Sequence, residues 1–278
     1  MVFLVDNGSV RANAYKNLRR IAGKISSQID ETVLPAPLLH ANKIPPEALE
    51  GYSPIILEDL LTKHYDQGER EFTILPLFFG PSGALVDYLP RRLKKVSLNR
   101  SGYKVRICDP LFVSVTNGGQ ALAEILEDRI QAKVRENNLS TYHAVLVDHG
   151  SPTPNVTVVR NELARILNEK FKDNGTAVAA ASMERRKGPE FAFNEPLLET
   201  ILEQEPFSRG DTVVAQLFLS PGRHAGPEGD IATICREAEK LNANLKTYRT
   251  ELIGSHPKLI QLLQQRWEER ELSAYVNY

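Results

Sequence analysis

The sequence predicts a duplicated α/β protein, with two parallel-sheet domains facing each other across a cleft. Three observations carry that expectation. Phrases recur in order: "LVDNGS" at 4–9 returns as "LVDHGS" at 146–151, so Asp6 and Asp148 lie 142 positions apart. "PLFFGPSG" from Pro76 returns loosely as "QLFLSPGR" from Gln216, and "LLHANKIPPE" ending at Glu47 returns as "SMERRKGPE" ending at Glu190, at offsets of 140 and 143. Ordered repeats at a near-constant offset indicate duplication. Within each half, short β-branched runs alternate with longer helical patterns, the mark of βαβ units. The length of 278 residues also suits two domains of about 100–150 residues each.

In chain order, the first half offers strands at "VFLVD", "TVLPAPLL", "EFTILPLFF" and "YKVRIC", with a helix at "ANAYKNLRRIAGKISSQI". The second half offers "HAVLVD", "TAVAAAS", "DTVVAQLFL" and "NLKTYRTEL", with a helix at "NVTVVRNELARILNEKF". Each half closes on an amphipathic stretch ending in arginine, "ALAEILEDR" at Arg129 and "LIQLLQQRW" with Arg266. The polar stretch "RENNLST" marks the boundary, giving repeats over residues 1–138 and 139–278. Both read as flavodoxin-like domains.

Composition narrows the function. A net charge of −1 argues against a nucleic-acid partner, which usually demands a basic balance. No apolar run reaches the roughly 18–20 residues of a membrane span. "VFLVD" begins without a basic n-region, so a secretory leader is not expected, and a cytoplasmic protein is. Cys108 and Cys235 lie far apart, too few for a cysteine-ligated iron–sulfur cluster. The phosphate-binding pattern G-x-x-x-x-G-K-[ST] is missing, so no nucleotide is expected. A serine hydrolase is disfavoured because neither "DNGS" nor "DHGS" is G-x-S-x-G; Ser9 and Ser151 are expected to cap the following helices instead.

In open parallel sheets ligands bind beyond the carboxyl ends of the strands, and that rule selects His149, Glu184 and His224. One such histidine alone is ordinarily a loop residue. Two imidazoles and a carboxylate at three strand ends of one half suit a divalent transition metal. The first half offers Asn7, His40 and "GPSG" at Gly80–Gly83, with His40 at the station of Glu184, and cannot build the same site. It is expected to supply the opposite wall of the cleft.

At these residues the sequence resembles the sirohydrochlorin chelatases, the class II chelatases of cobalamin and siroheme synthesis. "VDHGSPTPN" resembles the family's "HGS" phrase, and "LFLSPGRHAGPEGDI" its second-histidine phrase, a His followed closely by an Asp-Ile pair. "SMERRKGPEFAFNEP" resembles the Glu-bearing segment ahead of a Glu-Pro pair, lengthened here, and "IGSHPKLIQLLQQR" the closing helix. The resemblance implies ATP-independent insertion of Co²⁺ or Fe²⁺, with Ni²⁺ also accommodated, into sirohydrochlorin or a related tetrapyrrole. It implies His149 and His224 as metal ligands and Glu184 as third ligand or proton acceptor. Arg185, Arg186 and Arg223, with Lys187 beside them, flank these positions and suit the substrate's carboxylates, since a guanidinium fork pairs bidentately. The chain is expected to work as a monomer with pseudo-two-fold symmetry. The competing expectation is a tetrapyrrole- or metal-binding protein without turnover.

Overall fold

In the computed structural model, which describes residues 1–278, the two repeats write one topology twice. The first contributes strands β1 (Val2–Val5), β2 (Val33–Pro35), β3 (Glu71–Pro76) and β4 (Lys104–Ile107), with helices α1 (Ala12–Ile29), α2 (Leu57–Asp66), α3 (Leu89–Ser97) and α4 (Gly119–Glu136). The second contributes β5 (His143–Asp148), β6 (Val178–Ser182), β7 (Gly210–Gln216) and β8 (Leu245–Arg249), with α5 (Pro154–Phe171), α6 (Leu198–Ile201), α7 (Asp230–Leu241) and α8 (Pro257–Glu268). A closing strand, β9, spans Tyr275–Asn277. The sheets run β2-β1-β3-β4-β9 and β6-β5-β7-β8, so the first four strands of each share one order. All pairings are parallel except β4 with β9. The chain reverses its strand order between β1 and β3, and again between β5 and β7, where doubly wound sheets open a ligand crevice.

The elements follow from local chemistry. Val2–Val5 are buried without a break, as a strand covered on both faces requires. Helix α1 buries Ala14, Tyr15, Leu18, Ile21, Ala22 and Ile25, a three-and-four spacing that makes one apolar stripe. Helix α5 starts on Pro154 at its first turn, where a missing N–H costs nothing. It matches α1 in length, so Leu18 and Arg160 occupy one station. Strand β2 is shorter than "TVLPAPLL" suggests, because Pro35 and Pro37 cannot donate to a ladder. No helix is long and apolar enough to cross a membrane.

Packing divides the chain differently from the sequence repeat at 1–138 and 139–278. One compact unit is Met1–Val113 with Pro257–Tyr278, and the other is Ser114–His256. The last helix of each repeat therefore packs in the other repeat's unit. The two terminal arginines mark the exchange. Within the second unit, Arg129 donates to the Leu252 carbonyl at 3.1 Å and pairs with Glu251 at 2.7 Å. Within the first, buried Arg266 donates to the carbonyls of Pro110 at 2.8 Å and Leu111 at 3.1 Å. Pro110 and Leu252 are themselves equivalent, since Leu111 and Ile253 after them donate to Phe78 and Phe218 alike. The C-terminal residues join the same unit through β9, and Tyr278 stacks on Tyr103 with centroids 5.3 Å apart.

Candidate metal centre

The residues expected to hold metal stand on turns built mainly by backbone contacts. After β5, Asp148 Oδ1 accepts the Gly150 N–H at 3.0 Å. Gly150 takes φ +89°, and a Cβ there would sit 1.9 Å from the Glu184 carbonyl oxygen, so only glycine fits. Met183 N–H donates to Asp148 O at 2.8 Å and Glu184 N–H to His149 O at 3.2 Å. The β5–β6 pairing is thus carried two residues past the sheet, setting Glu184 beside His149. The first repeat draws the same turn: Gly8 at φ +83° stands where a Cβ would meet the Leu39 carbonyl at 1.8 Å. Leu39, not His40, therefore occupies the station of Glu184. The sequence alignment is one residue out there because the segment after the second strand differs in length between repeats. His40 follows, exposed and left-handed at φ +64°.

The three predicted residues come together pairwise. The imidazole rings of His149 and His224 lie edge to face, with centroids 4.6 Å apart, and His149 Nε2 is 3.5 Å from Glu184 Oε1. As they stand, no three His, Cys, Asp or Glu side chains converge tightly enough to enclose an ion. His149 Nδ1 sits 3.0 Å from the Gly150 carbonyl, which makes it the protonated nitrogen. Nε2 then faces a carboxylate oxygen 3.5 Å away, a pair that either a second ring proton or a metal cation would satisfy. His224 Nδ1 contacts Asp230 Oδ2 at 2.6 Å. A carboxylate on one ring nitrogen fixes the tautomer and leaves the other free to ligate. Asp230 opens α7; its signal was the Asp-Ile pair after the second histidine, to which sequence reasoning gave no role.

Sequence reasoning also missed the support beneath the turn. Arg160 is fully buried, and its Nη1 lies 3.5 Å from Asp148 Oδ1 and 3.1 Å from the Asn194 carbonyl. It also donates to Ser182 Oγ, which donates in turn to Asp148 Oδ1 at 2.8 Å. Burial pulls the guanidinium pKa down while Asp148 opposes the shift. In the first repeat Leu18 stands in place of Arg160, and no cation meets Asp6. Desolvation pushes the Asp6 carboxyl up to about 6, against the pull of its Gly8 hydrogen bond. An arginine on an otherwise apolar helix face, opposite a leucine in the repeat, was the available signal.

Ser9 and Ser151 do not cap helices. Their Oγ atoms accept the N–H of Arg11 at 3.1 Å and of Thr153 at 3.0 Å. Those residues are themselves the N-cap positions, so each hydroxyl closes a turn ahead of its helix. The basic residues differ in availability. Arg185 is bound into its own segment, pairing with Glu195 and donating to the carbonyls of Arg186 and Gly188 at 3.1 Å each. Arg186 lies over the Phe191 ring, 5.8 Å from its centroid. Arg223 is exposed and reaches Asp230 at 3.7 Å, beside His224.

Residues 143–270 match the CbiX family model. No curated protein matches the sequence. Among solved structures, SirB from Bacillus subtilis with Fe³⁺ superposes with a TM-score of 0.69 at 17% identity, over 97% of this chain and 94% of that one. SirB from Bacillus subtilis subspecies spizizenii, a sirohydrochlorin chelatase in complex with cobalt, gives 0.68 at 13% identity over the same shares. CbiX, described as the terminal enzyme of siroheme biosynthesis in denitrifying bacteria, gives 0.59 at 14% identity over 96% of each chain. At such identities these likenesses establish the duplicated chelatase fold. The stretch that the CbiX family model matches, residues 143–270, is the one that bears His149, Glu184 and His224.

Proposed function

We propose that this protein inserts a divalent metal, Co²⁺ or Fe²⁺, into sirohydrochlorin or a closely related tetrapyrrole without ATP. The observation that carries the reading is the facing of His149 Nε2 and Glu184 Oε1 at 3.5 Å, with the His224 ring against His149. Both side chains of the pair are half exposed, so rotation about their own bonds suffices to close them on an ion delivered from solvent. Imidazole and carboxylate accept cobalt, iron and nickel alike, and supply decides among them.

The metal is a substrate, held long enough to be handed to the ring face. His149 and His224 serve as ligands through Nε2, with Asp230 holding the His224 tautomer. Insertion releases two pyrrole N–H protons, and a carboxylate or imidazole that has let go of the ion accepts them as a general base. Glu184 suits that role, standing more open than either histidine. Arg223 is the best placed cation for a substrate carboxylate, with Arg186 next; Arg185 is already occupied by Glu195. The duplication lets one chain act where a short chain would need a partner copy.

Mixing the protein with sirohydrochlorin and Co²⁺, and following the absorbance change against a protein-free control, tests the reading. Catalysed insertion lost in His149→Ala and His224→Ala supports it. Ligand binding without any acceleration would instead make the protein a tetrapyrrole or metal binder.

A further inference from the structure

The segment that follows Glu184 ends on a buried side-chain amide that reaches back to the turn after β5. Asn194 is fully buried. Its Oδ1 accepts the Ser151 N–H at 2.8 Å and lies 3.4 Å from Thr157 Oγ1, while its Nδ2 donates to the carbonyls of Ser151 at 3.0 Å and Phe191 at 3.1 Å. Both donors and both acceptor sites of the amide are thus satisfied. A single side chain grips both the N–H and the C=O of one residue, and that residue directly follows His149-Gly150. Its own backbone carbonyl takes the Arg160 guanidinium.

We infer that Asn194 is a positioning residue that ties the basic segment at 185–194 to the turn carrying His149, so that the two move together. The inference rests on the metal reading of His149. Ser151 is buried, so its peptide groups have no water to replace the amide, and losing the clamp leaves both unsatisfied. The turn can answer only by opening, which takes His149 away from Glu184. The same movement frees the chain that presents Arg185 and Arg186. Groups that orient a metal ligand from behind typically change affinity by about 10–100-fold.

The test pairs amide hydrogen exchange with calorimetric titration of Co²⁺, on wild type, Asn194→Ala and Asn194→Asp. In Asn194→Ala, Ser151 and Phe191 amides should exchange faster together, while Val145–Val147 in β5 keep their protection. The Co²⁺ dissociation constant should rise about tenfold. Asn194→Asp keeps an acceptor for the Ser151 N–H but sets its second oxygen against the carbonyls of Ser151 and Phe191. It should therefore loosen the Phe191 segment and weaken Co²⁺ binding at least as much as the alanine variant, and it decides the matter if that variant does not fold. A space-filling role predicts a lower Tm with unchanged Co²⁺ affinity. That result, or Ser151 exchange unmoved by either substitution, overturns the inference. A wild-type protein that takes up no Co²⁺ removes the metal reading itself, before any variant is made.

Discussion

The turns Asp6-Asn7-Gly8-Ser9 and Asp148-His149-Gly150-Ser151 share one backbone path and differ in what lies beneath them. Each ends a buried parallel strand, each caps its glycine N–H on the aspartate at 3.0 Å, and each presses the glycine on a neighbouring carbonyl. Under the second turn lie Arg160, Ser182 and Asn194; under the first, Leu18 fills the arginine's place. The turn that carries His149 has a charged, hydrogen-bonded floor. The turn that carries Asn7 has an apolar floor and a carboxyl whose pKa desolvation raises to about 6. The two copies share the turn geometry, and the buried polar support lies only under the copy that carries His149.

The largest effect is expected from Arg160→Leu, which imposes the first repeat's residue on the second. It strands Asp148 without its buried cation, and breaking such a pair by removing one partner costs about 3–5 kcal/mol. Urea unfolding should show that loss, and Asp148→Asn in the same chain should recover part of it.

Glycine substitution comes next, and here the halves should agree. Gly8→Ala and Gly150→Ala each force a left-handed residue onto a carbonyl, at a cost of at least about 1–3 kcal/mol. Both should lower Tm comparably, while only Gly150→Ala should also weaken Co²⁺ binding.

Asp6 gives a smaller effect with a defined sign. Its folded value of about 6 lies above the unfolded 3.8, so between those values the folded state binds more protons. Stability is therefore fully present below about pH 4, falls as pH rises toward 6, and is flat beyond. Asp6→Asn should erase that slope and add about 1–2 kcal/mol at pH 7, read by denaturation across pH 4–7. The smallest change is expected from Arg223→Ala. An exposed cation contributes up to about 1 kcal/mol, so KM for sirohydrochlorin should rise by no more than about fivefold with kcat unchanged.

The sequence made the architecture legible because buried strands and amphipathic helices leave periodic marks, and because Asp6 and Asp148 recur in step. The three metal-type residues were legible from one rule about strand ends. The exchange of α4 and α8 between compact units was not, since a helix pattern reveals the face it buries and not the sheet that receives it. Arg129 and Arg266 were visible as matched endings, but their acceptors are loop carbonyls far away in sequence. Asn194 was hidden for a similar reason: its partner Ser151 lies 43 positions back, and buried amides have no periodic pattern. His40 was set against Glu184 because no gap could be seen in a segment whose length differs between repeats.

Calorimetric titration with Co²⁺ tests the asymmetry between the two turns most directly. About one strong site per chain is expected, abolished by His149→Ala or His224→Ala and untouched by Asn7→Ala. Two equivalent sites, or a single site that survives His149→Ala, would contradict it.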